Sequence, residues 1–207
     1  MILCINTAIA EHHVAIAACG HTARPQNFAA LPLPAGRESE TILSVIADLL
    51  KKAGVKPSDL TGVAAITGPG GFTSLRIGLT VANTFAHEFK IPIVGFHGDE
   101  WFAARTDETD FLYLQSMNRE EIYTKGFGKS KNIAGILKFL DLPKTPTLFL
   151  GNLSALHKNR LPKNSTEIKK IKSPDGTWTA LCQNFQKTND LLLPFYGKEP
   201  TITKAKR

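Results

Sequence analysis

GPGGFTSLRIG, residues 68–78, decides the fold. It follows the apolar run Val63 to Thr67 and leads into Leu75, Leu79, Ala82, Phe85 and Ala86, which recur at helical spacing. A strand therefore ends in glycines and turns into a helix, with Thr73 as the expected N-cap. Backbone N–H groups at such a turn lie at the positive end of the helix dipole and suit a phosphate. Gly68, Gly70, Gly71 and Thr73 are accordingly the candidate phosphate or nucleotide turn. The other reading is a tight connection whose glycines only permit positive φ and close packing. No GKS or GKT follows to make a P-loop, the GKS at residues 128–130 lacks the upstream glycine, and there is no GxGxxG.

Working outward, Ile2 to Ile5 and Val14 to Ala18 read as strands of a hairpin turning at Glu11, His12 and His13, and Phe28 to Leu33 as a third strand. Ser39 precedes Ile42, Leu43, Ile46, Leu49 and Leu50 at helical spacing, closing at Gly54 behind Lys51 and Lys52. Ile91 to Phe96 is a strand. This order gives an α/β lobe with a mixed sheet covered by helices, residues 1–98. Beyond it, Phe111 to Leu114, Ile122 to Phe127 and Thr147 to Leu150 read as strands. Ile133 to Leu140 and Trp178 to Phe185 read as helices. A smaller, basic α/β lobe over residues 99–196 and a basic tail over 197–207 complete the expected organisation, and the sequence carries no internal repeat.

The net charge of +7 is unevenly placed. Residues 1–118 hold 8 Lys+Arg and 11 Asp+Glu, a formal −3; residues 119–207 hold 17 and 7, a formal +10. A basic half attracts phosphate-rich surfaces without reading sequence; a lysine-rich solubilising face is the alternative. Cys4, Cys19 and Cys182 are widely spaced, outside any CxxC pattern, and read as plain thiols rather than disulfides or zinc ligands. No stretch reaches the roughly 18 apolar residues of a membrane span, and MILCINTAIA lacks the basic start of a signal peptide. A cytoplasmic protein is expected.

The turn as a whole closely resembles GPGSFTGLRIG, the signature of the bacterial TsaB family (also called YeaZ), with Gly71 and Ser74 at the two differing positions. ILCINTAIAEHHVAIA at residues 2–17, IPIVGF at 91–96 and LLLPFYGKEPTITK at 191–204 agree with that family in order and spacing. The resemblance implies a two-lobed actin-like ATPase (ribonuclease H-like) fold. It also implies a part in making N6-threonylcarbamoyladenosine beside the anticodon of tRNAs that read codons starting with A. There the family resembles a non-catalytic partner of its paralogue TsaD, the transferase, with the small ATPase TsaE completing the assembly.

Three positions bear on catalysis by this chain. The TsaD group holds a metal with two histidines four apart after the strand that IPIVGF matches; here the positions are His97 and Trp101. One imidazole without its partner is a poor metal site, even with Asp99 and Glu100 near in sequence. Asn6 stands where phosphate-handling relatives place an aspartate, and an amide is neither an anionic ligand nor a base. In SMNREEIY, residues 116–123, Ser116 replaces the family's acid while Glu121 and Tyr123 are kept; Glu121 reads as a structural partner of a basic neighbour. With no GxSxG elbow and no HExxH, no catalytic or metal residue and no cofactor is expected, apart from a nucleotide held at a partner interface. The competing readings are an ATP-dependent enzyme of the actin-like class and a metal-dependent, glycoprotease-like peptidase.

The helix faces remain. Ile42, Leu43, Val45, Ile46, Leu49 and Leu50 make a stripe wider than burial requires. The resemblance implies that these helices pair with TsaD in a four-helix interface, or with a second copy when the protein is alone. Thr41, Val45, Thr73, Arg76, Thr80 and Asn83 are the expected contacts. Arg76 serves equally as an ion clamp or a bridge to a carboxylate. Lys169, Lys170, Lys172, Lys204, Lys206 and Arg207 are the candidate auxiliary contacts to tRNA.

Overall fold

The computed structural model describes residues 1–18, 28–182 and 190–197. The first sheet begins with an antiparallel meander, β1 (Ile2–Asn6), β2 (His13–Ala17) and β3 (Ala29–Pro32). Helix α1 (Glu38–Ala53) returns the chain to β4 (Gly62–Gly68), which lies parallel to β1, and α2 (Phe72–Phe89) leads to β5 (Ile93–His97), parallel to β4. The strand order is β3-β2-β1-β4-β5. Every residue of β1, β2 and β4 is buried. Strands covered on both faces read as continuous apolar runs, as these do.

The second sheet repeats this plan. After α3 (Gly98–Ala104), β6 (Leu112–Ser116), β7 (Glu121–Gly126) and β8 (Ala134–Lys138) form the meander. β9 (Leu148–Asn152) lies parallel to β6, and β10 (Thr166–Glu167) parallel to β9, in the order β10-β9-β6-β7-β8. Only the connections differ: a single 3-10 turn, Phe139–Asp141, joins β8 to β9, and the one-turn helix α4 (Ala155–Lys158) joins β9 to β10. Helix α5 (Pro174–Cys182) packs against α3 and β2.

Residues alternate along β6 as a two-sided strand requires. Tyr113 belongs to the main core, which spans both sheets, whereas Leu112 and Leu114 join a satellite core with Ile122, Phe139 and Phe149. Helix α1 ends as its sequence dictates: Gly54 adopts the left-handed conformation at φ 66°, and its N–H meets the carbonyls of Leu50 and Lys51.

Two expectations need correction. Residues 133–140 contain the strand β8, not a helix. Ile133, Ile136, Leu137 and Leu140 fit a helical period, but pairing with β7 in the register Glu121↔Lys138 to Lys125↔Ala134 prevails. Gly135, at φ 106°, is incompatible with a helix. The N-cap of α2 is Gly71 rather than Thr73, which lies inside the helix. Among the described residues, no helix is long and apolar enough to cross a membrane.

Candidate functional site

The glycine-rich turn joins β4 to α2, and its inner side is filled by the chain itself. A Cβ on Gly68 would collide with the carbonyl of Phe195, one on Gly70 with the carbonyl of Ala8, and one on Gly78 with the hydroxyl of Thr7. Those three glycines permit close approach of backbone and side chain. Thr7 is buried and closes the turn. Gly71 differs: it is exposed, and only Ser74 lies near an added Cβ. Of the candidate phosphate residues, Gly71 and Thr73 face solvent, whereas Gly68 is buried and Gly70 half-buried.

Asn6 organises the neighbouring β1–β2 turn with both ends of its buried amide. Its Oδ1 accepts from the N–H groups of Ala8 and Ile9, each at 3.3 Å, and its Nδ2 donates to the carbonyls of Ala10 and Glu11, each at 3.3 Å. An aspartate would set a carboxylate against two carbonyl oxygens. The amide is thus matched to a packed turn, and residues 7–9 occupy the space beside it.

His97 and Trp101 have separate tasks. The His97 ring stacks on Phe195, with centroids 4.5 Å apart and planes 13° apart. Trp101 is fully buried, 4.7 Å from the Trp178 ring and 5.6 Å from the His13 ring. Trp178 donates its indole N–H to His13 Nε2 at 2.9 Å, and burial holds His13 below the ordinary histidine range, so the pair is neutral. Neither His97 nor residue 101 fits a metal-binding helical turn: one ring is stacked, the other is indole in the core. Among the described residues, no three His, Cys, Asp or Glu side chains converge to hold a metal.

Residues 190–197 bridge the two sheets, Phe195 meeting Thr67 of β4 and the Tyr123 ring of β7. Asn83 exchanges two hydrogen bonds with the backbone of Leu192, Phe195 N–H donates to the Thr67 carbonyl at 2.8 Å, and Tyr196 stacks on Phe72 at 5.1 Å. Beneath this strap, burial pushes the Asp99 carboxyl above its ordinary range and Tyr123 up to about 12, the nearby Asp99 charge adding to the latter.

Helices α1 and α2 pack side by side. Thr73, Arg76 and Thr80 are exposed on α2, and Thr41 and Val45 half-buried on α1. Asn83 is held by Leu192. The largest apolar exposures on these helices were not among the expected contacts: Leu43 at 62% and Phe72 at 58%. Arg76 lies over Phe72 with its guanidinium carbon 5.2 Å from the ring centroid. The cation rests on an aromatic face here, a third use beside the clamp and the bridge.

Lys169, Lys170 and Lys172 line a groove of about 630 Å3 with Arg105, Asp107 and Glu167. Lys172 is tied to Asp107 at 2.7 Å. Lys204, Lys206 and Arg207 fall outside the described residues. Glu121 accepts from the Asn118 amide at 2.6 Å and stands opposite Lys138 in the β7–β8 register. Sequence reading missed the partner of Ser116: its hydroxyl lies 2.8 Å from Nδ1 of His157. The two are 41 positions apart, and only the parallel pairing of β6 with β9 brings them together.

Two five-stranded mixed sheets of one plan, flanked by helices, define an α/β protein of the actin-like ATPase fold class. Residues 31–140 match the family model described as TsaD, tRNA N6-adenosine threonylcarbamoyltransferase. The tRNA threonylcarbamoyladenosine biosynthesis protein TsaB of Bacillus subtilis is 31% identical over 134 residues, 58% of each chain. The tRNA N6-adenosine threonylcarbamoyltransferase of Syntrophus aciditrophicus is 36% identical over 97 residues, 43% of this chain and 29% of that one. In fold, YeaZ from Pseudomonas aeruginosa superposes with a TM-score of 0.69 at 17% identity, covering 94% of this chain and 98% of that one. The chain belongs to the TsaD family, on its TsaB (YeaZ) branch. Its aligned segment spans just over half of the Bacillus relative and under a third of the Syntrophus one.

Proposed function

We propose that this chain takes part in forming N6-threonylcarbamoyladenosine on tRNA as a non-catalytic component that binds a TsaD-type transferase and works with TsaE. The observation that carries this reading is the outer face of α1 and α2. Leu43 and Phe72 are the most exposed large apolar side chains of the two helices, Val45, Ile77 and Val81 are half-buried, and Ile42, Ile46, Leu49, Leu75 and Leu79 are buried. Large apolar side chains gathered on one exposed face mark a contact surface. Thr41, Val45, Thr73, Arg76 and Thr80 surround them, and in isolation the same face pairs two copies of the chain.

The metal-binding positions of the transferase are used differently here. His97 belongs to the aromatic stack under the strap and Trp101 to the core, which supports a supporting role over a catalytic one. A nucleotide shared with the partner would sit at the exposed tip formed by Gly71 and Thr73. Lys169 and Lys170 supply an auxiliary, salt-sensitive attraction to tRNA. The lobes of residues 1–98 and 99–196 divide the work, the first contacting the transferase and the second the RNA.

Mixing this protein with TsaD, TsaE, ATP, unmodified tRNA and an activated threonylcarbamoyl donor tests the reading. Modified adenosine should form only when all three proteins are present. Equal modification without this chain, or stoichiometric metal with turnover by this chain alone, would contradict it.

A further inference from the structure

The thin connections of the second sheet assemble a nucleophile, a base and an orienting group. Ser116 ends β6, and its Oγ lies 2.8 Å from His157 Nδ1. The tautomer follows from the partners. His157 Nε2 is 3.1 Å from the carbonyl oxygen of Arg119, and a carbonyl can only accept, so Nε2 carries the proton and Nδ1 presents a lone pair. The N–H of Ser154 donates to Ser116 Oγ at 2.8 Å, leaving the hydroxyl hydrogen directed at Nδ1. The imidazole is fully buried and stacked on Phe139, with centroids 4.7 Å apart and planes 5° apart. A base fixed by a third group, within reach of a hydroxyl, is the arrangement that activates serine.

The hydroxyl also has somewhere to act. Ser116 lines a cavity of about 330 Å3 with Met117, Arg119 and Leu156. A second cavity of about 370 Å3 shares Arg119 and Leu156 and adds Glu120, Lys138, Leu140 and Arg160, three cations against one acid. Leu140 is 75% exposed and Leu156 48%, so the combined groove offers apolar contact and an excess of positive charge.

We propose that Ser116 is an activated nucleophile, with His157 as its base, that accepts an acyl group from an activated ester or thioester carrying an apolar, anionic acyl chain. Ser116 Oγ bonds to the carbonyl carbon as its proton passes to His157 Nδ1. The bond from that carbon to the leaving oxygen or sulfur breaks, and the leaving group takes the proton from His157. Because the Ser154 N–H is engaged by Oγ, it is not preset for an oxyanion. One such missing donor costs about 10²- to 10³-fold in rate, for formation and for hydrolysis of the acyl-serine alike, so both steps are slow. This proposal stands apart from the role in tRNA modification, and its failure leaves that reading untouched.

A fluorophosphonate probe tests it on the whole chain: Oγ displaces fluoride from phosphorus, and the fluoride leaves with the proton from His157. Peptide mass spectrometry should find one label at Ser116, absent in Ser116→Ala and formed about 10²-fold more slowly in His157→Gln. No label at Ser116, or equal rates in the two proteins, overturns the proposal. Should His157→Gln fail to fold, Ser116→Cys decides by its alkylation rate against pH. A thiol titrating below the ordinary value of about 8.5 supports a paired base, and one at or above it overturns the pairing. A p-nitrophenyl ester with a terminal carboxylate should acylate Ser116 faster than its neutral analogue; the reverse order overturns the substrate class.

Discussion

The two sheets share a strand plan but not a covering. In the first, the connections between parallel strands are helices of 16 and 18 residues, and β1, β2 and β4 are buried throughout. In the second, a 3-10 turn and a four-residue helix do the same work, and β8 and β9 stay half-buried. Long amphipathic connections give the first sheet a dense core on one side and spare apolar surface on the other. Short ones leave the second sheet with a small satellite core and shallow grooves over the strand ends. One topology thus leaves exposed apolar side chains on the helices of one half and shallow grooves beside the strand ends of the other.

The largest expected effect tests whether the glycine-rich turn is packed rather than open. Gly70→Ala places a methyl against the Ala8 carbonyl and should cost more than ~3 kcal/mol in urea denaturation, whereas Gly71→Ala should cost under ~1 kcal/mol. Equal losses would mean that the turn is not held by residues 7–8. Next, Asn6→Asp should destabilise by about 2–3 kcal/mol at neutral pH, because a buried carboxylate faces two carbonyls. The loss should shrink as pH falls through the raised folded pKa of the new acid and be relieved by about pH 4, its ordinary value.

His13 gives a smaller, pH-dependent effect in the first sheet. Its folded pKa lies below the ordinary 6.5, so the unfolded chain binds more protons between the two values. The His13–Trp178 contribution is therefore complete above about pH 6.5 and is lost as pH falls through the folded value, readable by thermal melts against pH. His13→Gln should flatten that part of the profile. The smallest effect has the opposite sign. Asp99 is raised by burial and has one buried carboxylate oxygen without a hydrogen-bond partner, so its charge costs stability as pH rises. Asp99→Asn should gain about 1 kcal/mol at neutral pH.

The sequence made the first half legible because its signals are local. The glycines after Val63 to Thr67, the helical period of α1 and its stop at Gly54 each need only neighbouring residues. The second half is written in long-range pairings. β8 is not legible locally because Ile133, Ile136, Leu137 and Leu140 fit a helical period, and only pairing with β7 overrides it. The common plan of the sheets left no repeat in the sequence, since backbone pairing tolerates many side chains. Ser116 was visible as a departure from the family's acid, but His157 carried no local signal. Gly68 and Gly70 were ambiguous for a similar reason: what fills the turn comes from residues 8 and 195.

The contrast between the two halves is tested most directly by co-purification with a TsaD-type transferase. Val45→Arg and Thr80→Arg place charge on the α1–α2 face, while Leu140→Arg and Leu156→Arg place the same charge on the second sheet. All four variants should fold, the first two should lose the transferase, and the last two should retain it. Retention by the α1–α2 variants, or loss only in the second-sheet variants, would contradict the assignment of the partner face.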